Sequence, residues 1–212
     1  MKRMTIKRLN ARCSCVALLA TLLFCGKVAV AEQRSFELDP AQTEVSFTLG
    51  AALHTVHGTF RLKRGTISFD DVNGQAAGEL VVNATSGDSG NHARDSKMHK
   101  EILQSQKFPE IIFTPQRFKG TLAKTGRSHL DVEGEFTIHG ESHPMILAVE
   151  VDSGNSTVAD TSFVVPYVKW GMKNPSTFFL RVSDKVQISI HAVARVTNAG
   201  MAKPATQRNI SR

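Results

Sequence analysis

G-D-S-G-N-H-A-R-D-S-K-M-H-K-E-I-L-Q-S-Q-K-F-P-E-I-I-F-T-P, residues 87 to 115, is the stretch from which the rest of the chain is read. Its apolar residues Met98, Ile102 and Leu103 fall at i, i+4 and i+5, a helical spacing, while nearly everything around it alternates with period two. One helix therefore sits inside an all-β chain. Asn91 is placed to cap its N-terminus, Asp95 lies in the first turns where a negative charge suits the helix dipole, and Lys107 lies near the end. Pro109 closes the helical stretch, because a proline drives the residue before it into an extended conformation. The chain then re-enters a sheet through Ile111, Ile112 and Phe113. A single helix with so short an apolar edge, inserted between strands, is expected as a plug or lid over the end of a barrel or sandwich.

On both sides of this stretch the alternation is persistent. Before it come Phe36 and Leu38, then Val45, Phe47 and Leu49, then Val56, Phe60 and Leu62, then Ile67 and Phe69 beyond a turn expected at Arg64-Gly65, and a further strand over 78–85. After it, strands are expected over 111–114, 118–123, 129–139, 145–151, 163–166, 178–182 and 186–196, divided by turn signals such as Gly126, Gly140 and Ser153-Gly154. About eight to eleven short antiparallel strands mean a barrel or a two-sheet sandwich. The residues alone thus give an all-β antiparallel fold with one helical insertion, and leave barrel and sandwich both open. Residues 197 to 212 have no periodicity and are expected to be a disordered tail.

The N-terminus reads as an address. Lys2, Arg3, Lys7, Arg8 and Arg12 precede an apolar run from Val16 to Phe24, and Ala29-Val30-Ala31 has the small-x-small form of a signal-peptidase site. Residues 1 to 31 are thus expected to be a cleaved signal peptide, and 32 to 196 the exported, periplasmic domain. A lipoprotein anchored at Cys25 is the rival, disfavoured by bulky Phe24 where such sites want a small residue. The net charge of +7 largely belongs to this segment, which holds six Lys/Arg and no acid and leaves 20 Lys/Arg against 19 Asp/Glu. A near-neutral domain gives no electrostatic case for nucleic acid, whose binding needs clustered cations to neutralise phosphates. Cys13, Cys15 and Cys25 also precede residue 32, so the domain is expected to rely on its core without disulfides. That length suffices for one such core.

Several motifs invite a catalytic or metal reading. Gly87-Asp88-Ser89-Gly90 copies the string around the nucleophile of trypsin-like proteases, but a triad is a geometry of three residues and an oxyanion hole, and the context here is a helix start. His54 and His57 lie three apart, on opposite faces of a strand, while His139 and His143 flank a turn at Gly140 with no evident third ligand. His92 and His99 lie seven apart on the helix, about 10 Å of rise. No metal and no cofactor are expected. Arg94-Asp95 has two readings, a lumen mouth that meets a polar head group or an exposed local ion pair.

Five blocks in order carry a resemblance: F-E-L-D-P-A-Q-T-E-V-S-F (36–47), H-G-T-F-R-L-K-R-G-T-I-S-F-D (57–70), G-N-H-A-R-D-S-K-M-H (90–99) with K-F-P-E-I-I-F (107–113), G-E-F-T-I-H-G-E-S-H-P (134–144), and V-Q-I-S-I-H-A (186–192). Together they resemble the YceI-like, polyisoprenoid-binding family over residues 35 to 196. The resemblance implies an exported, lipocalin-like antiparallel barrel with a helical insertion that holds a long isoprenoid or acyl-like lipid in an apolar lumen. Two positions depart from the family: Gln42-Thr43 stands where a His-Ser pair is usual, and Tyr167-Val168-Lys169-Trp170-Gly171 where an arginine-aspartate-phenylalanine-glycine stretch is usual. The resemblance therefore speaks to fold and ligand class rather than to head-group contacts.

The composition is compatible with a lumen: 12 Phe, one Trp and one Tyr, spread over nearly every strand, can line a tunnel with few polar groups, although phenylalanines also fill the core of any β protein. The ligand-facing residues expected are Phe47, His54, Phe60, Arg94, Met98, Ile102, Phe113, Phe136 and Trp170. The partner expected is an isoprenoid or other long-chain lipid, with transient membrane contact for its exchange and a homodimer as further options. Two alternatives stay open: a periplasmic barrel enzyme of hydrolase or isomerase type, and a ligand-free β-sandwich acting as a protein-interaction module.

Overall fold

The structure is a computed structural model that describes residues 33–198 except 53, 155 and 179. The expected signal segment with its three cysteines, and the tail from 199, lie outside the described residues. Nine strands are found among the described residues: β1 Gln33–Leu38, β2 Glu44–Gly50, β3 Thr55–Asp70, β4 Gln75–Asp88, β5 Glu110–Gly120, β6 Gly126–Ile138, β7 Glu141–Ser153, β8 Thr157–Val165 and β9 Val186–Asn198. All pairings are antiparallel, and β3–β4 pairing closes the sheet on itself. The last strand runs two residues beyond the expected end at Val196.

Nine strands occupy eight positions in the barrel, because β1 and β2 share the place between β3 and β9. Phe36 of β1 pairs with Ile67 and Val196, and Phe47 of β2 pairs with Gly58 and Ile188, farther along the same two strands. Pro40, which lacks an N–H for the ladder, marks the break. The Asp39 carboxylate accepts from the Ala41 N–H at 2.9 Å and from Gln42 Nε2 at 2.7 Å, and the Thr43 hydroxyl accepts from the Val193 N–H at 3.2 Å. The two residues that depart from the family pattern thus serve the kink. The Gln42 amide, and secondarily the Ala41 N–H, hold the Asp39 carboxyl below its ordinary pKa.

Several strands are longer than the sequence suggests, β4, β7 and β8 among them, and β3 and β5 each absorb an expected break. At the turn expected at Arg64-Gly65 the strand β3 runs on, Arg64 pairing with Val81 and Gly65 with Leu80 just past a register shift between Leu62 and Arg64. Gly65 packs closely there, since a Cβ would lie 3.0 Å from the Leu38 side chain of β1, which would have to give way. Residues 111–114 and 118–123, expected as separate strands, fall largely into one β5, whose register shifts between Pro115 and Arg117. A bulge is where a proline is tolerated within a sheet. Conversely, 178–182 is not a strand: only the single bridge Ala51–Val182 forms, beside a tight turn at Thr177–Leu180.

Alternation then sets the interior. Leu130, Val132, Phe136 and Ile138 of β6, Leu147 and Val151 of β7, and Ile190, Ala192 and Ala194 of β9 are buried on one face, with their neighbours turned outward. The expected turn at Gly140 is a two-residue hairpin in which His139 (φ 55) and Gly140 (φ 80) both have left-handed backbones. The loops after β2, β4, β6 and β8 gather at one end, the mouth. The β3–β4, β5–β6 and β7–β8 turns lie at the other, the floor.

The helical insertion lies at the mouth, between β4 and β5. It consists of α1 (His92–Lys97) and a π-helical segment, Met98–Ile102. Asn91 is the N-cap, its side chain accepting from the Arg94 N–H at 3.0 Å, and Asp95 lies in the first turn. The π turn bonds the Leu103 N–H to Met98 O at 2.8 Å, so residues five apart stack and Met98, Ile102 and Leu103 share the inner side. Gln104, at φ 46, ends the run.

Candidate binding lumen

The barrel encloses a cavity of about 540 Å³ lined by inward residues of all nine strands and by the mouth segments. One parity of each strand supplies the wall: Val45, Phe47 and Leu49 of β2, for example, and Val186, Ile188 and Ile190 of β9. Among the described residues, the only polar groups that line the cavity from the strands are Thr157 and Thr161 of β8. Polar residues return at the mouth, where His54, Ser89, Asn91, Arg94, Lys97 and Thr177 line the opening. The lumen is therefore an apolar shaft with a polar rim, and the rim's charged lining residues are two cations and no carboxylate.

Glycines make room for the large side chains of the wall. The Phe47 ring covers Gly58, where a Cβ would collide with it, and the Phe113 ring covers Gly134, where a Cβ would lie 2.9 Å away. At the mouth, Phe60 and Met98 meet over Gly87, whose Cβ would lie 2.6 Å from the one and 2.7 Å from the other. Phe47 and Phe60 lie 5.5 Å apart by ring centroids.

Eight of the nine residues expected to face a ligand line this cavity. Phe47, Phe60, Phe113 and Phe136 come from four strands, Met98 and Ile102 from the underside of the helical insertion, and His54 and Arg94 from the rim. Trp170 does not line it. Its ring stacks on His143 of β7 at 4.0 Å and 3°, and lies 5.9 Å from Phe136. β7 pairs with β8 only from Val149 to Ser153, and His143 belongs to the part of β7 beyond that pairing. Trp170 thus packs against the wall where two strands have parted, a place that no local pattern marks.

Arg94 and Asp95 do not pair with each other. Both converge on Ser89: Arg94 Nε donates to Ser89 Oγ and Arg94 Nη2 to Ser89 O, each at 2.7 Å, while Asp95 Oδ1 accepts from the Ser89 N–H at 3.0 Å and from its hydroxyl. The Gly87–Gly90 string is the end of β4 and the short turn that leads into a helix cap, with its serine hydroxyl engaged on both sides. His99 ties the same loop from within, one ring nitrogen 2.9 Å from Gly87 O and the other 3.0 Å from Ser105 Oγ. His57 faces outward to Thr48, away from His54. Among the described residues no three His, Cys, Asp or Glu gather with metal-binding geometry.

The sequence reading missed Lys97, Tyr167 and the segment 172–182. Lys97 follows Arg94 by three, one turn on, which was a legible signal. Its ammonium donates to Pro175 O at 3.2 Å, and Lys173 pairs with Glu101 at 2.6 Å, so the insertion is tied to the β8–β9 connection. The bond from Lys173 holds the Glu101 carboxyl below its ordinary pKa. Tyr167 is buried, donates to Ser183 O at 2.6 Å, and has its pKa pushed up to about 12, first by burial and then by Asp184.

A family model described as YceI-like domain matches residues 36–194. Protein YceI of Salmonella newport (strain SL254) is 29% identical over 136 residues, 63% of this chain and 69% of that protein. Among solved structures, Burkholderia cenocepacia BcnA is similar with a TM-score of 0.59 at 19% identity, covering 74% of this chain and 99% of that one. A polyisoprenoid binding domain from Saccharophagus degradans, implicated in plant cell wall breakdown, is similar with a TM-score of 0.61 at 15% identity, covering 76% and 98%.

Proposed function

This chain belongs to the YceI-like domain family, and from that premise we propose that it is a periplasmic binding protein for a long-chain amphiphilic lipid, a polyisoprenoid or isoprenoid quinone, held tail-first in the lumen. The observation that carries the reading is the unfilled apolar shaft. A shaft of about 540 Å³ open at one end leaves its apolar walls without the contacts that a packed core would give them, at a cost in stability. Water offsets little of this where the walls offer it few hydrogen-bond partners. An apolar tail supplies the missing contacts, and the rim residues Arg94, Lys97 and His54 suit a polar head. The similar polyisoprenoid binding domain supports the ligand class.

Holding rather than converting the ligand is supported by the wall chemistry: two threonine hydroxyls, and a tyrosine whose hydroxyl is engaged by Ser183 O. Export is supported by the basic start, the apolar run and Ala29-Val30-Ala31. Mass spectrometry of an organic extract of the purified mature protein tests the ligand reading, and N-terminal sequencing of the cell-derived protein tests export. A prenyl lipid near one per chain and a start at Glu32 are expected. An empty protein that also fails to take up added prenyl lipids would overturn the first, and a retained residue 1–31 segment the second.

A further inference from the structure

We propose that the mouth docks on an anionic bilayer surface, with Phe178 set into the headgroup region and the surrounding cations on lipid phosphates. The purpose of this docking rests on the lipid-carrier reading, while the surface is argued from its own residues. Phe178 is 91% exposed, above Val72 at 71% and Ile146 at 63%, the next most exposed large hydrophobics among the described residues. It stands at the opening itself, since Thr177 and Leu180 on either side line the lumen.

This exposure is built. The Thr177 N–H donates to Leu180 O at 2.9 Å and the Leu180 N–H to Thr177 Oγ1 at 3.1 Å, closing a tight turn with Phe178 at its tip. The Val182 N–H donates to Ser176 Oγ at 2.8 Å, and the Ala52 N–H to Arg181 O at 2.9 Å, fixing the base of the turn to the β2–β3 connection. On the other side Lys97 and Lys173 tie it to the helical insertion. The bonds at Thr177, Leu180, Arg181 and Val182 thus fix the base from which the exposed Phe178 projects.

Charge selects the occupant. The segment 172–182 carries Lys173 and Arg181 and no acid, and the facing insertion carries Arg94, Lys97 and Lys100. Its two acids, Asp95 and Glu101, offset part of that charge, Glu101 in an ion pair with Lys173, so five cations stand against two carboxylates on these two segments. The residues from 32 onward are nearly neutral as a whole, so this is a local concentration of cations around an apolar tip. Aromatic rings settle at the membrane interface, and cations beside them are drawn to anionic lipid.

The test is co-sedimentation of the mature protein with vesicles of phosphatidylcholine, with and without phosphatidylglycerol. These vesicles contain no prenyl lipid, so they read docking alone, and lumen loading is measured separately by extraction. Binding to the anionic vesicles, weakened by salt, is expected. Phe178→Ser and the double variant Lys173→Gln with Arg181→Gln should each weaken it about tenfold, with circular dichroism and thermal melting confirming that both fold. A lumen without prenyl lipid in a protein that still binds anionic vesicles through Phe178 would leave the docking standing and the ligand reading fallen. Equal binding to neutral and anionic vesicles, or full binding by both variants, overturns the proposal, and no binding to either vesicle does so in favour of a protein partner for the same tip.

Discussion

The two ends of the barrel are closed by different means. At the floor, Phe69 meets Phe36 edge-on at 5.9 Å and Phe118 at 5.0 Å, and Arg34 reaches from β1 to the carbonyls of Leu122 and Ala123 and to Asp71. At the mouth, neither α1 nor the π-helical segment contains a buried residue, and the insertion rests on the edge of Met98, Ile102 and Leu103 with an exposed ion pair. This contrast marks where the molecule can open. Tightly packed rings resist separation, whereas a short segment with a narrow apolar edge is drawn from the low end of local stability.

The strongest way to break this contrast is truncation at the two ends. Phe69→Ala should lower stability by about 3 to 5 kcal/mol, and Met98→Ala, from a half-buried site, by less than about 2 kcal/mol. Urea denaturation measures both, and equal losses would erase the distinction between floor and mouth. A series of prenyl alcohols measures the shaft between them. Each isoprene unit offers a gross gain of roughly 3 to 4 kcal/mol at about 0.8 kcal/mol per buried methylene-sized group, reduced by chain ordering and by the tail's alternative of hiding in micelles. Affinity should rise with length and then flatten, and a folded Phe136→Asp variant should lose binding. Affinity that ignores length, or that survives in this variant, counts against the lumen.

Two smaller effects refine the picture of the mouth. Amide exchange over residues 92–103 should be faster than in β6 and should slow when lipid is bound, since the bound tail packs against Met98 and Ile102. Equal protection with and without lipid would make the insertion a fixed plug. The other half of the mouth is anchored by Tyr167, the only tyrosine in the chain, which makes its ultraviolet titration unambiguous. Its folded pKa of about 12 lies above the ordinary 10.0. The stability it contributes is therefore whole below pH 10 and is lost as pH rises from there through about 12. A phenolate midpoint near the ordinary value in the folded protein would show that this half is as open to water as the helix.

Much of the wall was legible from alternation alone, because on a strand the parity of a residue fixes which face it joins. Phe47, Phe60, Phe113 and Phe136 were found in this way, and Asn91 as a cap followed from side-chain chemistry within three residues. Strand limits were less legible. Pro115 and Gly65 look like punctuation in sequence, yet Pro115 borders one bulge, Gly65 follows another, and both strands run on through them. Phe178 was expected to open a strand over 178–182 and Trp170 to face a ligand, but their positions depend on what local pattern does not show, the turn closed by Thr177 and Leu180 and the stack on His143.

The order of residues along the chain was enough to set which side chains turn inward, that one helical insertion interrupts the strands, and that the charge is concentrated ahead of residue 32. Whether the inward phenylalanines fill the interior or line a space was left to the closed barrel. Parity is a property of neighbours along the chain. Empty volume is what remains when the closure of β3 on β4 fixes the barrel radius and the side chains of eight strand positions are set against it. The same holds for the rim, where cations distant in sequence, Arg94 and Lys97 on one segment and Lys173 and Arg181 on another, become neighbours around a single opening only after the barrel has closed.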